Sequence, residues 1–423
     1  MEDFRSVIKW LDGHDFVFAG DTPVCSHCHH YNLFIDKTID DALGVGSSIQ
    51  LRTDAAREFF FQLLSSVFAE AGVDSPDERL SLAAEIFSNF GHGKIDLSQL
   101  NADGGEAIGE HMHYAYTWLE KFGDTQQRYH PADAVAGGFA AAALACAHDL
   151  APEAVDVQET ECLVLGDSRC VFELSIREVE LSEPRIRVDY DKIAEVVPET
   201  FAGIQEETVE RLTVGLKEFL ANVSGDERGL IQAFGVFVTT NPSSLYNRIS
   251  YEMLETLRRE HPSFVAVSAS LLREAGRLCG FNTFGGIIGS PEWEALTGST
   301  ERDMLTVALH ACTIARGLGF GRWSVSDYEE GKMIAFQAPS TYEGPYYKIR
   351  HGVADDPTCY LFEGACEAAA QLGHAVDWSE QPDFTPAFYE DVFAPSNNPW
   401  RAEQTRCACK GDDRCEVVVT RTE

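Results

Sequence analysis

The segment Cys162-Leu-Val-Leu-Gly-Asp-Ser-Arg-Cys170 is echoed near the C-terminus by Cys407-Ala-Cys-Lys-Gly-Asp-Asp-Arg-Cys415. Both segments separate two cysteines by seven residues and contain Gly-Asp-x-Arg. Glycine tolerates positive φ and aspartate caps turns, so each segment predicts a β-hairpin with a cysteine on either strand. Such a hairpin brings two thiols together, as a metal ion requires. Glu159 and Gln404 precede the first cysteine by the same distance, and the repeat therefore predicts two homologous modules.

The composition is that of an acidic globular protein. The chain has 423 residues, 44% of them hydrophobic, and a net charge of −35. This length suffices for two or three domains with their own cores. The negative charge disfavours binding to nucleic acid and to anionic membranes. Since we find neither a signal-like N-terminus nor an apolar run near the roughly 18 residues of a membrane span, we expect a cytoplasmic protein, in which cysteines bind metals or pack as free thiols.

Both halves carry similar elements in the same order. Apolar residues at three- and four-residue spacing predict helices over residues 53–72, 78–90, 205–222, 245–259, 263–279 and 300–317. A Gly-x-Gly turn, a short strand, a small-residue helix and the cysteine hairpin follow in each half, the turns being Gly91-His-Gly93 and Gly319-Phe-Gly321. We therefore predict an α+β fold of two modules, residues 1–178 and 191–423, joined by a linker at 179–190. Each module would combine an antiparallel sheet with packed helices, and the two would pack as an intramolecular pseudo-dimer.

These motifs resemble those of the 4-vinyl reductase domain. The second half matches over residues 315–321, 357–364 and 403–415, and the first half matches in its C-terminal part. The resemblance implies a mixed helix-and-sheet fold that binds small hydrophobic or aromatic ligands beside a structural zinc. Some relatives sense phenols for transcription activators that carry an ATPase. This chain lacks Gly-x4-Gly-Lys-Ser/Thr, which excludes an activator of that kind.

The resemblance also implies two zinc sites. Their ligands would be Asp133, Glu159, Cys162 and Cys170 in the first half and Cys359, Gln404, Cys407 and Cys415 in the second. Gln404 is neutral and therefore a poor zinc ligand, which Glu403 could replace. Four protein ligands without an open position make a structural site rather than a catalytic one. The alternative is that the cysteines are free thiols of the core.

Nine of the thirteen histidines precede residue 150. Aligning Tyr31-Asn32 with Tyr246-Asn247 places residues 242–245 opposite residues 27–30 and Phe320 opposite His92, so only the first half has metal-binding side chains at these positions. The candidate ligands are Cys25, His27, Cys28, His30, His92, Glu110, His111 and His113. If residues 106–121 form a helix, Glu110 and His113 share one face; if they form a strand, His111 and His113 do. Such a set suits zinc, iron, copper or manganese.

Two functions follow from these observations. The first is a metal-dependent enzyme that acts on a small hydrophobic or aromatic substrate by redox chemistry or metal-assisted activation, with structural zinc and with iron or copper at the histidine cluster. Tyr31 or Tyr114 would supply a proton. The second is a non-catalytic sensor or carrier of a small hydrophobic ligand, in which both zinc sites are structural and the histidines hydrogen-bond to the polar end of the ligand. A simpler interpretation of the N-terminal cluster is a surface loop with solvated histidines and a structural zinc knuckle at Cys-x2-Cys. A homodimer is compatible with both. The run from Cys25 to His29 also has the form of a c-type haem attachment motif, which the expected cytoplasmic location disfavours.

Overall fold

The structure is a computed structural model that describes residues 7–179 and 186–422. Antiparallel strands form three sheets in these residues. In chain order the strands are β1 (Ile8–Leu11), β2 (Phe16–Ala19), β3 (Thr22–Cys28), β4 (Ile95–Asp96), β5 (Gly104–Gly109), β6 (Val155–Glu161), β7 (Cys170–Ile176), β8 (Ile231–Ala233), β9 (Val236–Pro242), β10 (Ser324–Glu329), β11 (Met333–Ala338), β12 (Trp400–Arg406) and β13 (Cys415–Arg421).

The described residues also form 15 α-helices, and the fold is α+β as predicted. The helices are α1 (His29–Leu43), α2 (Val45–Ala71), α3 (Pro76–Asn89), α4 (His113–Phe122), α5 (Ala134–Ala147), α6 (Tyr190–Val196), α7 (Glu206–Leu220), α8 (Ser243–Glu260), α9 (Val265–Cys279), α10 (Gly285–Ile288), α11 (Pro291–Thr297), α12 (Met304–Gly317), α13 (Glu343–His351), α14 (Tyr360–Ala375) and α15 (Pro386–Val392). All six predicted helices are present, with shifted ends. The side chain of Ser75 accepts a hydrogen bond from the Glu78 backbone N–H and caps α3, as its sequence indicates.

Two four-stranded sheets have equivalent strand orders. One is β4-β5-β7-β6 and the other is β10-β11-β13-β12. In each sheet the cysteine segment forms the predicted hairpin, β6 with β7 and β12 with β13, and the register shifts in the strand that precedes the first cysteine. Aspartate closes both turns, because Asp167 and Asp412 each accept a hydrogen bond of 2.8 Å from the backbone N–H of Cys162 and Cys407, respectively. The equivalence agrees with two related modules, whose common origin stays a prediction.

The third sheet joins the two halves of the chain. Its order is β1-β2-β3-β9-β8, so that β3 of the first half pairs with β9 of the second. The backbone N–H of Ser26 donates to Leu318 O, and that of Thr240 donates to Phe90 O. The segment before each Gly-x-Gly thus binds the central strand of the opposite half. This shared sheet agrees with the expected intramolecular pseudo-dimer.

The Gly-x-Gly turns pack closely against the shared sheet. Gly91 and Gly319 have φ of +80° and +82°, and Gly93 and Gly321 have φ of +107° and +109°. A Cβ atom at Gly91 would lie 2.3 Å from the carbonyl oxygen of Val238, in β9. Glycine is therefore required here both for its backbone conformation and for the close approach of a strand.

One prediction about local structure needs correction. Residues 106–121 are neither one helix nor one strand, because β5 ends at Gly109 and α4 begins only at His113. Neither predicted pairing on a common face, Glu110 with His113 or His111 with His113, therefore forms. The predicted linker, residues 179–190, ends at the first residue of α6, Tyr190. Residues 180–185, including Pro184, lie outside the described part of the chain.

Candidate functional site

The first cysteine hairpin contributes to a cluster of four possible metal ligands. The four are Asp133, Glu159, Cys162 and Cys170, and their ligand atoms all lie within 4.8 Å of one another. These are the residues that the resemblance implied. Asp133 precedes α5, so the first turn of the small-residue helix faces the hairpin. Glu159 Oε2 accepts a hydrogen bond of 3.0 Å from the backbone N–H of Asp133, which leaves Glu159 Oε1 without a partner among the described residues.

The acid–base properties of this cluster are those of acidic groups buried together. Burial and the nearby Cys162 raise the pKa of Asp133 to about 8, and burial raises the pKa of Glu159 well above its usual value. A hydrogen bond from Cys170 lowers the pKa of Cys162 to about 6. Several negative charges in one site that excludes water repel one another, so deprotonation of all four groups is unfavourable. A divalent cation would offset this repulsion, and two carboxylates with two thiolates fit the ligand preferences of zinc.

The second cluster is richer in sulfur than the sequence indicated. Cys359, Cys407 and Cys409 have sulfur atoms within 4.8 Å of one another. Cys415 joins them, since its sulfur lies 3.7 Å from that of Cys359. The ligands predicted from the repeat did not include Cys409, because Val164 occupies the equivalent position in the first half. All four thiols are buried.

Gln404 occupies the position of Glu159 but contributes no charge. Its side chain is 7% exposed, and both its oxygen and its nitrogen lack partners among the described residues. Glu403 is no substitute, because it is exposed and neighbouring strand residues point to opposite faces. The cluster is therefore a set of four thiols beside a neutral amide. Hydrogen bonds from Cys359 and Cys409 lower the pKa of Cys407.

The N-terminal histidines are buried but dispersed. His27 lies between the rings of Tyr31 and Phe320, with ring centroids 4.0 Å and 4.7 Å away. Burial lowers the pKa of His27 well below its usual value, so the ring is neutral. Its Nδ1 lies 3.5 Å from the sulfur of Cys279, while its Nε2 has no partner among the described residues. His27 is thus chiefly part of an aromatic core.

The other candidate histidines have separate partners. His92 Nε2 donates to Thr240 O at 2.9 Å, and Asn32 Nδ2 donates to His113 Nε2 at 3.2 Å. His30 Nδ1 is hydrogen-bonded to Lys121. His111 is half-buried 6.0 Å from the ring of Tyr116.

The remaining candidates of this group also fall short of a metal site. Glu110 is exposed, whereas Cys25 and Cys28 are buried in β3. The hydroxyl groups of Tyr31 and Tyr342 are 3.3 Å apart, and burial raises the pKa of Tyr31 and of Tyr114 well above the usual value. Within residues 7–179 and 186–422, no set of three ligand atoms within 4.8 Å includes a histidine. The structure does not bring the predicted histidine ligands together.

A cavity of about 310 Å³ lies on one face of the shared sheet. It was not predicted from sequence. Alternate residues of the two central strands line it, namely Val24, Ser26, Cys28, Val236, Val238 and Thr240. Helix α7 lines it with Lys217 and Leu220, and Phe90 and Leu318 line it from the segments that precede the two Gly-x-Gly turns. The cavity is thus built from both halves of the chain.

Few polar groups interrupt the apolar lining. Ser26 Oγ and Thr240 Oγ1 form a hydrogen bond of 2.8 Å across the pair of central strands. Lys217 Nζ lies 2.7 Å from Asp15 Oδ1 and 3.6 Å from the ring centroid of Trp10, another lining residue. The positive charge of Lys217 is therefore already paired with the carboxylate of Asp15. This arrangement suits a small, largely apolar and neutral molecule.

Comparisons with known proteins do not assign the chain to a family. No family model matches the chain, and no curated protein matches it. Among solved structures, the chain is similar to the phenol-responsive sensory domain of the transcription activator PoxR, crystallised with phenol. The two share 13% sequence identity with a TM-score of 0.36, and the similarity covers 52% of this chain and 92% of that one. In the described part of the chain, no helix has both the length and the apolar character needed to cross a membrane.

Proposed function

We propose that this chain is a non-catalytic sensor or carrier that binds a small hydrophobic or aromatic molecule in the cavity on the shared sheet. The observation that carries the proposal is the cavity itself: about 310 Å³, lined mainly by apolar side chains and built from both halves. This volume lies near the lower end of the range of roughly 300–1,000 Å³ that is usual for small-molecule sites. Because strands of both halves line the cavity, a bound molecule would contact the two halves at once.

The two cysteine clusters have a supporting role in this proposal. The first offers four ligand atoms within 4.8 Å of one another, and the second offers three, with the sulfur of Cys415 3.7 Å from that of Cys359. Both sets fit a structural metal site. A metal in either site would fix a cysteine hairpin to the start of the small-residue helix, α5 or α14. We also propose, from the sequence resemblance, that the chain is related to the 4-vinyl reductase domain.

The metal-dependent enzyme gains no support from the geometry. Its catalytic centre required several histidines around one ion, whereas His27, His92 and His113 each have their own aromatic or polar contacts. The sensor or carrier needs only the cavity.

Binding of an apolar fluorescent probe tests the proposal. We would titrate the full chain with N-phenyl-1-naphthylamine and follow the increase in probe fluorescence that accompanies entry into a dry site. Val238→Phe should fill part of the cavity and abolish most of this binding. Val214→Phe is the matched control, because Val214 is 57% exposed on α7. A wild-type protein that binds no probe, or equal binding by the Val238→Phe variant, would contradict the proposal.

A further inference from the structure

The two cysteine turns have the same backbone conformation. In both turns a glycine N–H donates at 3.1 Å to the residue that follows the first cysteine, Gly166 to Leu163 O and Gly411 to Ala408 O. The two glycines have φ of +98° and +91°. Residues at the same position of the two turns therefore lie at equivalent places beside their clusters, and the turns differ chiefly in their side chains.

One position of this turn differs in its chemistry between the two halves. It holds Val164 in the first half and Cys409 in the second. The sulfur of Cys409 lies within 4.8 Å of the sulfurs of Cys359 and Cys407, so it belongs to the cluster, whereas a valine offers no ligand atom. Because the turns share a backbone, this one difference in side chain decides whether a sulfur is present.

The second half also lacks an acidic group that the first half has. Gln404 is at the position of Glu159 in the repeat, and its amide is neutral. Glu159 belongs to the four ligands of the first cluster, whereas in the described part of the chain the three grouped ligand atoms of the second cluster are all sulfur. As a thiolate, Cys409 can supply the negative charge that Gln404 cannot.

The residue that precedes the small-residue helix changes from an oxygen donor to a sulfur donor. Asp133 precedes α5, and Cys359 precedes α14. The sulfur of Cys359 lies 3.9 Å from that of Cys407 and 3.7 Å from that of Cys415. The first cluster therefore offers two carboxylates and two thiols, and the second offers four thiols. Full deprotonation gives both sets the same formal charge, so they differ in the softness of their donors.

We propose that the second half binds a softer, more thiophilic cation than the first, because Cys409 replaces the ligand that the first half draws from Glu159. Carboxylate oxygens are hard donors and thiolates are soft, and soft metal ions prefer sulfur. Zinc accepts both kinds of ligand, so the first cluster keeps zinc. The second cluster takes a cation of the Cd²⁺ or Cu⁺ class in preference to zinc. Each thiol that coordinates the metal gives its proton to water.

Cadmium NMR of the full chain tests the proposal. The chemical shift of bound cadmium reports how many sulfurs coordinate it. Protein loaded with Cd²⁺ should therefore give two resonances, one at the position of a sulfur-only site and one at that of a mixed oxygen–sulfur site. Titration with Zn²⁺ should remove the mixed resonance first. The absence of a sulfur-only resonance, or its loss before the mixed one, would overturn the proposal.

Exchanging side chains between the halves assigns the resonances. The double variant Cys409→Val, Gln404→Glu copies Val164 and Glu159 of the first half, and it should lose the sulfur-only resonance. Conversely, Val164→Cys should move the mixed resonance toward the sulfur-only position. Cys366→Ala is the control, because Cys366 is buried in α14 outside both clusters, and it should keep both resonances. A sulfur-only resonance that persists in the double variant would contradict the role of Cys409.

This inference goes beyond ligand binding in the cavity and does not depend on it, because it concerns metal ions and the two cysteine clusters alone. The spectrum of the wild-type protein decides it even if a variant fails to fold. Binding of N-phenyl-1-naphthylamine by the same zinc-loaded protein reports the cavity separately, so failure of one proposal is distinguishable from failure of the other.

Discussion

Ser26 and Thr240 face each other across β3 and β9, one from each half of the chain, and their hydroxyl groups are 2.8 Å apart. One hydroxyl donates to the other, which leaves the accepting hydroxyl with its own O–H free to donate. Both residues line the cavity. The pair therefore supplies a polar anchor in an otherwise largely apolar wall, and it lies where the two halves meet.

The hydroxyl pair should favour ligands that carry a single polar group. Ser26→Ala or Thr240→Val should weaken binding of 1-naphthol by roughly two- to tenfold, since a hydrogen bond contributes roughly 0.5–1.5 kcal/mol, while binding of naphthalene should change little. Isothermal titration calorimetry of both ligands checks this, with Ser270→Ala on an exposed part of α9 as the control. An equal loss for naphthol and naphthalene would show that the variants disturb the cavity and not the anchor.

Cys409 should matter more than Gln404 for metal binding in the second cluster. Cys409→Ser removes one sulfur of the group, and we expect metal affinity there to fall by more than the roughly 10- to 100-fold cost of losing an outer partner. Gln404→Ala should leave the affinity nearly unchanged. Competition between the protein and a chromogenic chelator for Zn²⁺ and Cd²⁺ measures both. The first cluster serves as an internal reference, and the opposite order of effects would refute the assignment.

His92 should make the fold sensitive to acid. Burial lowers its pKa to about 4 in the folded chain, from the usual value of 6.5. Between these values the unfolded chain binds a proton that the folded chain does not, so stability is lost as the pH falls from 6.5 to 4, by up to about 3 kcal/mol for this residue. His92→Phe, which copies Phe320 of the second half, should reduce this loss in urea unfolding at pH 7 and pH 5.

The control for that measurement is His261→Gln, because His261 is exposed. This variant should keep the wild-type dependence of stability on pH. If His92→Phe also kept it, the acid sensitivity would have to come from other buried histidines, such as His27 and His113.

Gly91 should tolerate substitution far less than a glycine of similar φ in open space. Gly91→Ala combines left-handed backbone strain, about 1–2 kcal/mol, with a collision against Val238 O. Gly331 has φ of +69° and no atom within 4 Å of an added Cβ, so Gly331→Ala should show the backbone cost alone. Thermal unfolding of both variants checks the difference. Equal destabilisation would mean that β9 moves away without cost.

The sequence predicted local structure well where one short segment carries the information. The cysteine hairpins follow from Gly-Asp turns, and the start of α3 follows from Ser75 and Glu78. It failed at residues 106–121, where the apolar pattern suits either a helix or a strand and the chain in fact changes from β5 to α4. Periodicity within such a window cannot locate a boundary that contacts with β7 determine.

The candidate site shows a similar division. Repetition of the cysteine segment sufficed to find Cys162, Cys170, Cys407 and Cys415, because the hairpin itself brings each pair together. Cys409 gave no such signal, since it lies within the turn and has no counterpart in the repeat. The prediction grouped the histidines because they are close in sequence. Adjacent residues in a strand point to opposite faces of the sheet, however, and in the fold each of these histidines contacts a different partner.

By itself, the sequence determined two cysteine hairpins, the Gly-x-Gly turns and six of the helices, because these depend on turn chemistry and apolar spacing over a few residues. Only the tertiary structure decided that β3 pairs with β9 and that this shared sheet carries a cavity. The strand pairing joins residues more than 200 positions apart, and which surfaces meet depends on how the whole chain packs its apolar faces away from water.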